Sequence, residues 1–135
     1  MESALLKVLI VDDSPLIASR LRQQINALRQ VQISGVAVNI SSALEQVKIS
    51  CPDVAILDIY LRDDAPDRNG ITLLNLLRQG YPDMQIIMLT NISGPQYYNR
   101  CMELGARSFL DKSSEFEKVS ELLLDIHQAL NNLKQ

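Results

Sequence analysis

Short apolar runs alternate along the chain with longer stretches in which apolar residues recur every three or four positions. Lys7 to Val11 (KVLIV) is a continuous apolar run, and Val31 to Val38 is a weaker one. Val54 to Leu57 (VAIL), Met84 to Leu89 (MQIIML) and Arg107 to Leu110 (RSFL) follow. Runs this short and apolar predict strands of a parallel sheet covered on both faces, where no alternate position must face water. The stretches between and after them predict five helices. Ser14-Pro15 opens the first, a capping side chain followed by a proline whose missing N–H costs nothing there. Ile17, Leu21, Ile25 and Leu28 line its apolar face, and Ile40, Ala43, Leu44 and Val47 stripe the second. The third begins near Gly70 and stops at Gly80, with Pro82 just beyond. Ser93 and Pro95 open the fourth, which Gly105 closes. The fifth runs from about Ser114 towards Leu133 on a stripe of Val119, Leu122, Leu123, Ile126, Leu130 and Leu133.

Regular strand–helix alternation predicts an α/β fold, a doubly wound five-stranded parallel sheet with five helices. A length of 135 residues suits one domain over 1–135. The most polar stretch, Arg62 to Asn69 (RDDAPDRN), reads as one exposed loop. Acidic residues outnumber basic ones by 16 to 13, which weighs against nucleic-acid binding by this chain alone. No apolar run approaches the roughly 20 residues of a membrane span. Met1-Glu2-Ser3-Ala4 lead directly into a strand with no basic region or cleavage site, so no signal peptide is expected. Cys51 and Cys101 lie far apart and near no histidine cluster, which predicts free buried thiols in a reducing cytoplasm and no zinc site.

A doubly wound sheet places its sites at the carboxyl ends of its strands. Asp12-Asp13 follow the first strand, Asp58 the third, Thr90 the fourth and Lys112 the fifth. With strands ordered 2-1-3-4-5, these groups surround one shallow pocket. Crowded carboxylates repel one another and tend to hold protons, which a hard divalent cation relieves. Magnesium suits best, since it takes one or two carboxylates and keeps several waters. A lysine and a hydroxyl opposite complement a group with several anionic oxygens. The set describes magnesium-assisted phosphoryl transfer. Each residue also has a plainer use: Asp12-Asp13 near a helix start, Thr90 at a helix entry, Lys112 in solvent. Those uses leave unexplained why all fall at successive strand ends. His127 reads as a surface residue near a helix end.

Val8 to Asp13 (VLIVDD) with Ser14, Pro52 to Asp58 (PDVAILD), Leu89-Thr90 and Glu103 to Lys112 (ELGARSFLDK) make the sequence resemble the receiver domain of two-component response regulators, in the CheY-like, flavodoxin-like superfamily. The resemblance covers essentially the whole chain. It implies that Asp58 is the phosphoacceptor, that Asp13 ligates Mg2+ directly and Asp12 through water, and that the main-chain carbonyl of Tyr60 completes the metal site. It implies that Thr90 and Lys112 bind the phosphoryl oxygens and that Phe109 swings inward as Thr90 moves. The implied donor is the phosphohistidine of a sensor histidine kinase or phosphotransfer protein. The implied output is a protein contact, a downstream target or a homodimer, on the face of the fourth helix, fifth strand and fifth helix. No nucleic acid or membrane partner is implied. The domain is not expected to be an enzyme beyond promoting its own phosphoryl transfer and slow dephosphorylation. Tyr60 and Ile92, with Asn91 between Thr90 and Ile92, flank the implied path of attacking water. Being bulky, and in Ile92 apolar, they predict a long-lived phosphorylated state.

Three departures from the family pattern stand out. Arg62 to Asn69 lengthens the loop after Asp58 by about four residues, where most connections are short. Asn91 replaces a usually small residue, which narrows access to Asp58, and Ser113 replaces a common proline. Other readings have their own requirements. A haloacid-dehalogenase-type phosphatase resembles aspartate-x-aspartate after the first strand, but Ser14 stands two after Asp12. A flavodoxin-like cofactor binder needs a hydroxyl- or glycine-rich phosphate loop where Asp12-Asp13 stand, and a P-loop is absent. A degenerate receiver acting as a protein-binding scaffold is disfavoured by intact Asp13, Asp58, Thr90 and Lys112. The alternative within the family is the isolated N-terminal receiver of a longer DNA-binding transcriptional regulator.

Overall fold

The computed structural model describes residues 4–61, 68–92 and 94–133. Its elements run β1 (Leu6–Val11), α1 (Pro15–Asn26), β2 (Val31–Ala37), α2 (Ile40–Ser50), β3 (Val54–Leu57), α3 (Gly70–Gly80), β4 (Gln85–Thr90), α4 (Pro95–Glu103), β5 (Ser108–Asp111) and α5 (Lys118–Leu133). All strands are parallel in the order β2-β1-β3-β4-β5. The expected doubly wound five-stranded α/β fold is thus the observed one.

Strand pleating sends alternate residues to opposite faces, and each face has its own core. Leu9, Val11, Ala55, Leu57, Ile86 and Met88 pack with α2, α3 and Cys101 of α4. Val8, Ile10, Val54, Ile56, Ile87 and Leu89 pack with Leu21 and Ile25 of α1 and Val119, Leu123 and Ile126 of α5. Burying both faces explains why the middles of β1, β3 and β4 carry apolar residues on both sides.

The helix starts are chemically marked. Ser14 Oγ accepts from the Ile17 N–H at 3.3 Å. Asn39 and Asn69 form capping boxes with Ser42 and Thr72, each closing two N–H groups at a helix start. Several expected boundaries move. β4 and β5 each lie one residue further along, so Thr90 ends β4 and Asp111 ends β5. β2 stops at Ala37, leaving Val38 exposed, and α1 stops before Leu28, which still packs on the core.

The fifth helix begins at Lys118, not near Ser114. Asp111 Oδ1 accepts from the Ser113 and Ser114 N–H groups at 2.7 and 3.2 Å, a side-chain-closed turn that competes with helix. Leu133 is 82% exposed at the end of its stripe. Cys101 is buried, but Cys51 is exposed, contrary to expectation. Cys51 ends α2 in a left-handed conformation (φ 45°), which turns the chain out at the amino-terminal edge of the sheet. Ser93 and residues 62–67, most of the expected long loop, lie outside the described residues. No helix among the described residues is long and apolar enough to cross a membrane.

Candidate functional site at the carboxyl edge of the sheet

Backbone pairing carries the site residues just beyond the strand ends. The Asp12 N–H donates to the Ala37 carbonyl at 3.0 Å and the Asp58 N–H to the Val11 carbonyl at 3.2 Å. The Lys112 N–H donates to the Thr90 carbonyl at 3.0 Å. Each residue therefore continues a ladder by one step and is held in register with its neighbour. On its other side, the Asp58 backbone abuts the start of α3. A Cβ built on Gly70 would stand 1.9 Å from the Asp58 carbonyl oxygen, and the Gly70 N–H donates to the Ile59 carbonyl at 2.8 Å. Only a residue without a side chain fits there.

Among the described residues, the buried polar or charged side chains are Asp12, Asp58, Thr90 and Lys112, each between 0 and 8% exposed. Buried charge is costly unless paired, and here the pairing is tight. The Lys112 ammonium lies 2.7 Å from Asp12 Oδ2 and 2.7 Å from Asp58 Oδ2. The remaining carboxylate oxygens take backbone donors, Asp12 Oδ1 from Ser14 N–H at 2.8 Å and Asp58 Oδ1 from Tyr60 N–H at 3.3 Å. Burial pushes the Asp12 carboxyl above its ordinary value, opposed by the Lys112 and Ser14 hydrogen bonds. For Lys112, burial pulls the ammonium down, but the bonds and charges of Asp12 and Asp58 prevail and raise it. Lys112 is thus a firmly charged cation at neutral pH.

Thr90 Oγ1 accepts from the Ile92 N–H at 3.3 Å. Asp13 is exposed beside Asp12. Among the described residues no three carboxylate, histidine or cysteine side chains form a ready metal cage. Lys112 draws Asp12 and Asp58 together and offsets part of their mutual repulsion. The donor set still suits magnesium: carboxylate and carbonyl oxygens, few in number, at an edge open to water.

Phe109 on β5 is half-buried against the core and meets Tyr98 of α4 edge to face, with centroids 5.7 Å apart and planes at 72°. The Tyr60 ring is 69% exposed. Ile92 is half-buried and packs on the core shared by α2, α3 and α4. Asn91 is exposed, and its Oδ1 accepts from Ser113 Oγ at 3.3 Å. His127 is half-buried in α5, its Nε2 3.2 Å from the Ala4 carbonyl oxygen. Sequence reasoning did not find the Asn91–Ser113 bond, which joins positions 22 residues apart. It also did not find Gln24, whose Nε2 reaches Ser120 Oγ at 2.9 Å and the Phe116 and Glu117 carbonyls at 3.3 Å each. The adjacent Arg20 guanidinium lies 4.2 Å above the Phe116 ring. Neither brace follows from helical periodicity, since both depend on how α1 meets the turn before α5.

Comparison with known proteins agrees with this geometry. The family model "Response regulator receiver domain" matches residues 8–124. A protein-glutamate methylesterase/protein-glutamine glutaminase of Clostridium acetobutylicum is 31% identical over 123 residues, covering 90% of this chain and 34% of that protein. The sensory transduction protein LytT of Bacillus cereus is 32% identical over 119 residues, covering 88% of this chain and 46% of that protein. The chain thus spans a third to a half of the length of these relatives. The response regulator domain of Thermotoga maritima CheB superposes with a TM-score of 0.77 at 30% identity, covering 94% of this chain and 97% of that domain. The fold, the four polar groups at one strand-end pocket and these matches lead to one conclusion: the chain belongs to the family of response regulator receiver domains of two-component signalling.

Proposed function

We propose that this domain accepts a phosphoryl group on Asp58 from the phosphohistidine of a sensor histidine kinase or phosphotransfer protein in the cytoplasm, and that phosphorylation alters a protein-interaction face. The observation that carries this reading is the set of buried polar side chains: Asp12, Asp58, Thr90 and Lys112, gathered at one sheet edge and absent elsewhere among the described residues. A buried ammonium between two carboxylates is a weak device for stability alone, because apolar residues of similar volume often serve as well or better.

Asp58 attacks phosphorus through a carboxylate oxygen. The N–P bond of the donor breaks as the O–P bond forms, and the electron pair returns to the imidazole. Lys112 and the Thr90 hydroxyl take the phosphoryl oxygens, Lys112 exchanging part of its contact with Asp58 for the new anion. Asp13 and Asp58, the Tyr60 carbonyl, and Asp12 through water would hold Mg2+, which supplies charge neutralisation for the incoming phosphoryl oxygens. The work of the chain's own residues is positioning and preorganised charge.

The response rests on Phe109 leaving its edge contact with Tyr98 as Thr90 moves, repacking α4, β5 and α5 into a face for a downstream protein or a second copy. Ile92 carries no polar group to orient water, which favours slow hydrolysis, whereas the exposed Tyr60 ring does not add the cover expected of it. The relatives' greater length supports a second reading, in which this receiver regulates further parts of a longer protein. In a labelling test, a small phosphodonor with magnesium should add one acid-labile phosphoryl group to the wild type and none to Asp58→Asn. Full labelling of the variant would end the assignment.

A further inference from the structure

Two side chains that the proposed reaction does not use stand one residue beyond two that it does. Thr90 and Lys112 lie at the ends of neighbouring strands, joined by the Lys112 N–H to Thr90 carbonyl bond of 3.0 Å. One step further along each chain stand Asn91 and Ser113, and Ser113 Oγ donates to Asn91 Oδ1 at 3.3 Å. Both are exposed. The bond is a side-chain rung added to the β4–β5 ladder on its solvent side. Each end is presented by a locally fixed backbone. The Ser113 N–H is held by Asp111 Oδ1 at 2.7 Å, and the Ile92 N–H after Asn91 by Thr90 Oγ1 at 3.3 Å. Two short side chains on fixed backbone lose little conformational freedom in meeting.

We propose that Asn91 and Ser113 form a clasp on the rim of the Asp58 pocket, whose opening sets how often small phosphodonors and water reach Asp58. This rests on the reading of Asp58 as phosphoacceptor. A group on Asp58 that touches Thr90 and Lys112 sits by the ends of β4 and β5, so molecules approaching from that side pass the clasp. One neutral exposed hydrogen bond shifts an open–closed equilibrium by about two- to fivefold. The clasp therefore tunes traffic and does not block it. An access gate scales entry of donor and of water by the same open fraction. Breaking it raises phosphorylation and hydrolysis rates together and leaves their ratio near its wild-type value. Loss of a group that binds the phosphoryl moiety would instead change the ratio.

The test is a double-mutant cycle on the full chain with acetyl phosphate and magnesium, following phosphorylation and then decay after donor removal. Ser113→Ala removes the donor, and Asn91→Leu removes the acceptor while keeping the bulk. Each single variant should raise both rates about two- to fivefold. The double variant should exceed neither single, because both remove one bond. Ser113→Thr, which keeps the hydroxyl, should retain wild-type rates. Additive increases, a change in only one rate, or unchanged rates in the single variants would overturn the clasp while leaving Asp58 in place. No labelling of the wild type, or equal labelling of Asp58→Asn, would overturn the phosphoacceptor reading and the clasp with it.

Discussion

Replacing Lys112 with methionine isolates what the buried cation contributes, because the unbranched stem is kept and the ammonium removed. In the wild type that ammonium lies 2.7 Å from each of two carboxylates, with all three groups under 10% exposed. Removing one partner of a buried ion pair costs about 3–5 kcal/mol, since the remaining charge is left without compensation. Lys112→Met leaves two such charges. Set against a total stability of about 5–15 kcal/mol for a domain of this kind, the loss is large. It corresponds to about 10–20 °C in Tm.

The pH dependence has a definite sign. The folded value of Asp12 is raised, so its contribution to stability is fully present below the ordinary aspartate value and is lost as pH rises through the folded value. Without Lys112, burial and the Asp58 charge act on Asp12 with less opposition, and that window extends upward. The variant should therefore gain stability on acidification from neutral pH more steeply than the wild type. The folded value of Lys112 is also raised, so the wild-type advantage should be greatest around neutral pH, narrowing on acidification as the variant's carboxyls protonate and again as pH rises through the alkaline range where the ammonium titrates.

Magnesium should narrow the gap. At about a hundred times its Kd a ligand adds about 2.7 kcal/mol to the state that binds it, and free carboxylates bind more tightly than ones already paired with an ammonium. Urea titrations of both proteins with and without magnesium measure all of this. A loss below about 1 kcal/mol, or a gap that widens with magnesium, would refute the reasoning.

Two other perturbations test the scaffold of the site. Gly70→Ala places a methyl 1.9 Å from the Asp58 carbonyl oxygen and 2.8 Å from the Ile59 Cα, both backbone atoms, and should cost about 3 kcal/mol in urea unfolding; a neutral effect would show that the start of α3 is free to move away. Gln24→Leu removes the amide that reaches Phe116, Glu117 and Ser120, and should cost about 1–2 kcal/mol and speed hydrogen exchange at the start of α5; unchanged exchange there would mean that the turn holds itself.

The sheet order and the gathering of polar residues were legible because parallel pairing forces them. Once Val8–Val11 and Val54–Leu57 are neighbouring strands, the next residues, Asp12 and Asp58, must emerge side by side. On the other side, the register sets Thr90 opposite Asp111, and the next residue, Lys112, reaches the same edge with its N–H on the Thr90 carbonyl. What periodicity could not show is how far side chains override it. Asp111 turned the expected first turn of the last helix into a closed loop, because a carboxylate that captures two N–H groups locally outcompetes helix formation. Cys51 was expected to be buried from its residue type, but its left-handed backbone at the end of α2 faces it outward. The ion pair of Lys112 with both Asp12 and Asp58 was not legible, since spacing reports which residues meet at an edge but not which ion pairs they choose.

The most direct test of Asp58 as phosphoacceptor is chemical trapping of the phosphorylated protein. An acyl phosphate on a carboxylate is reduced by borohydride to an alcohol, turning aspartate into homoserine at the labelled position and nowhere else. The wild type, phosphorylated by acetyl phosphate with magnesium, reduced, digested and sequenced by mass spectrometry, should show homoserine at position 58 with Asp12 and Asp13 intact. Homoserine at position 12 or 13, or phosphate retained on His127 with Asp58 unchanged, would contradict the assignment.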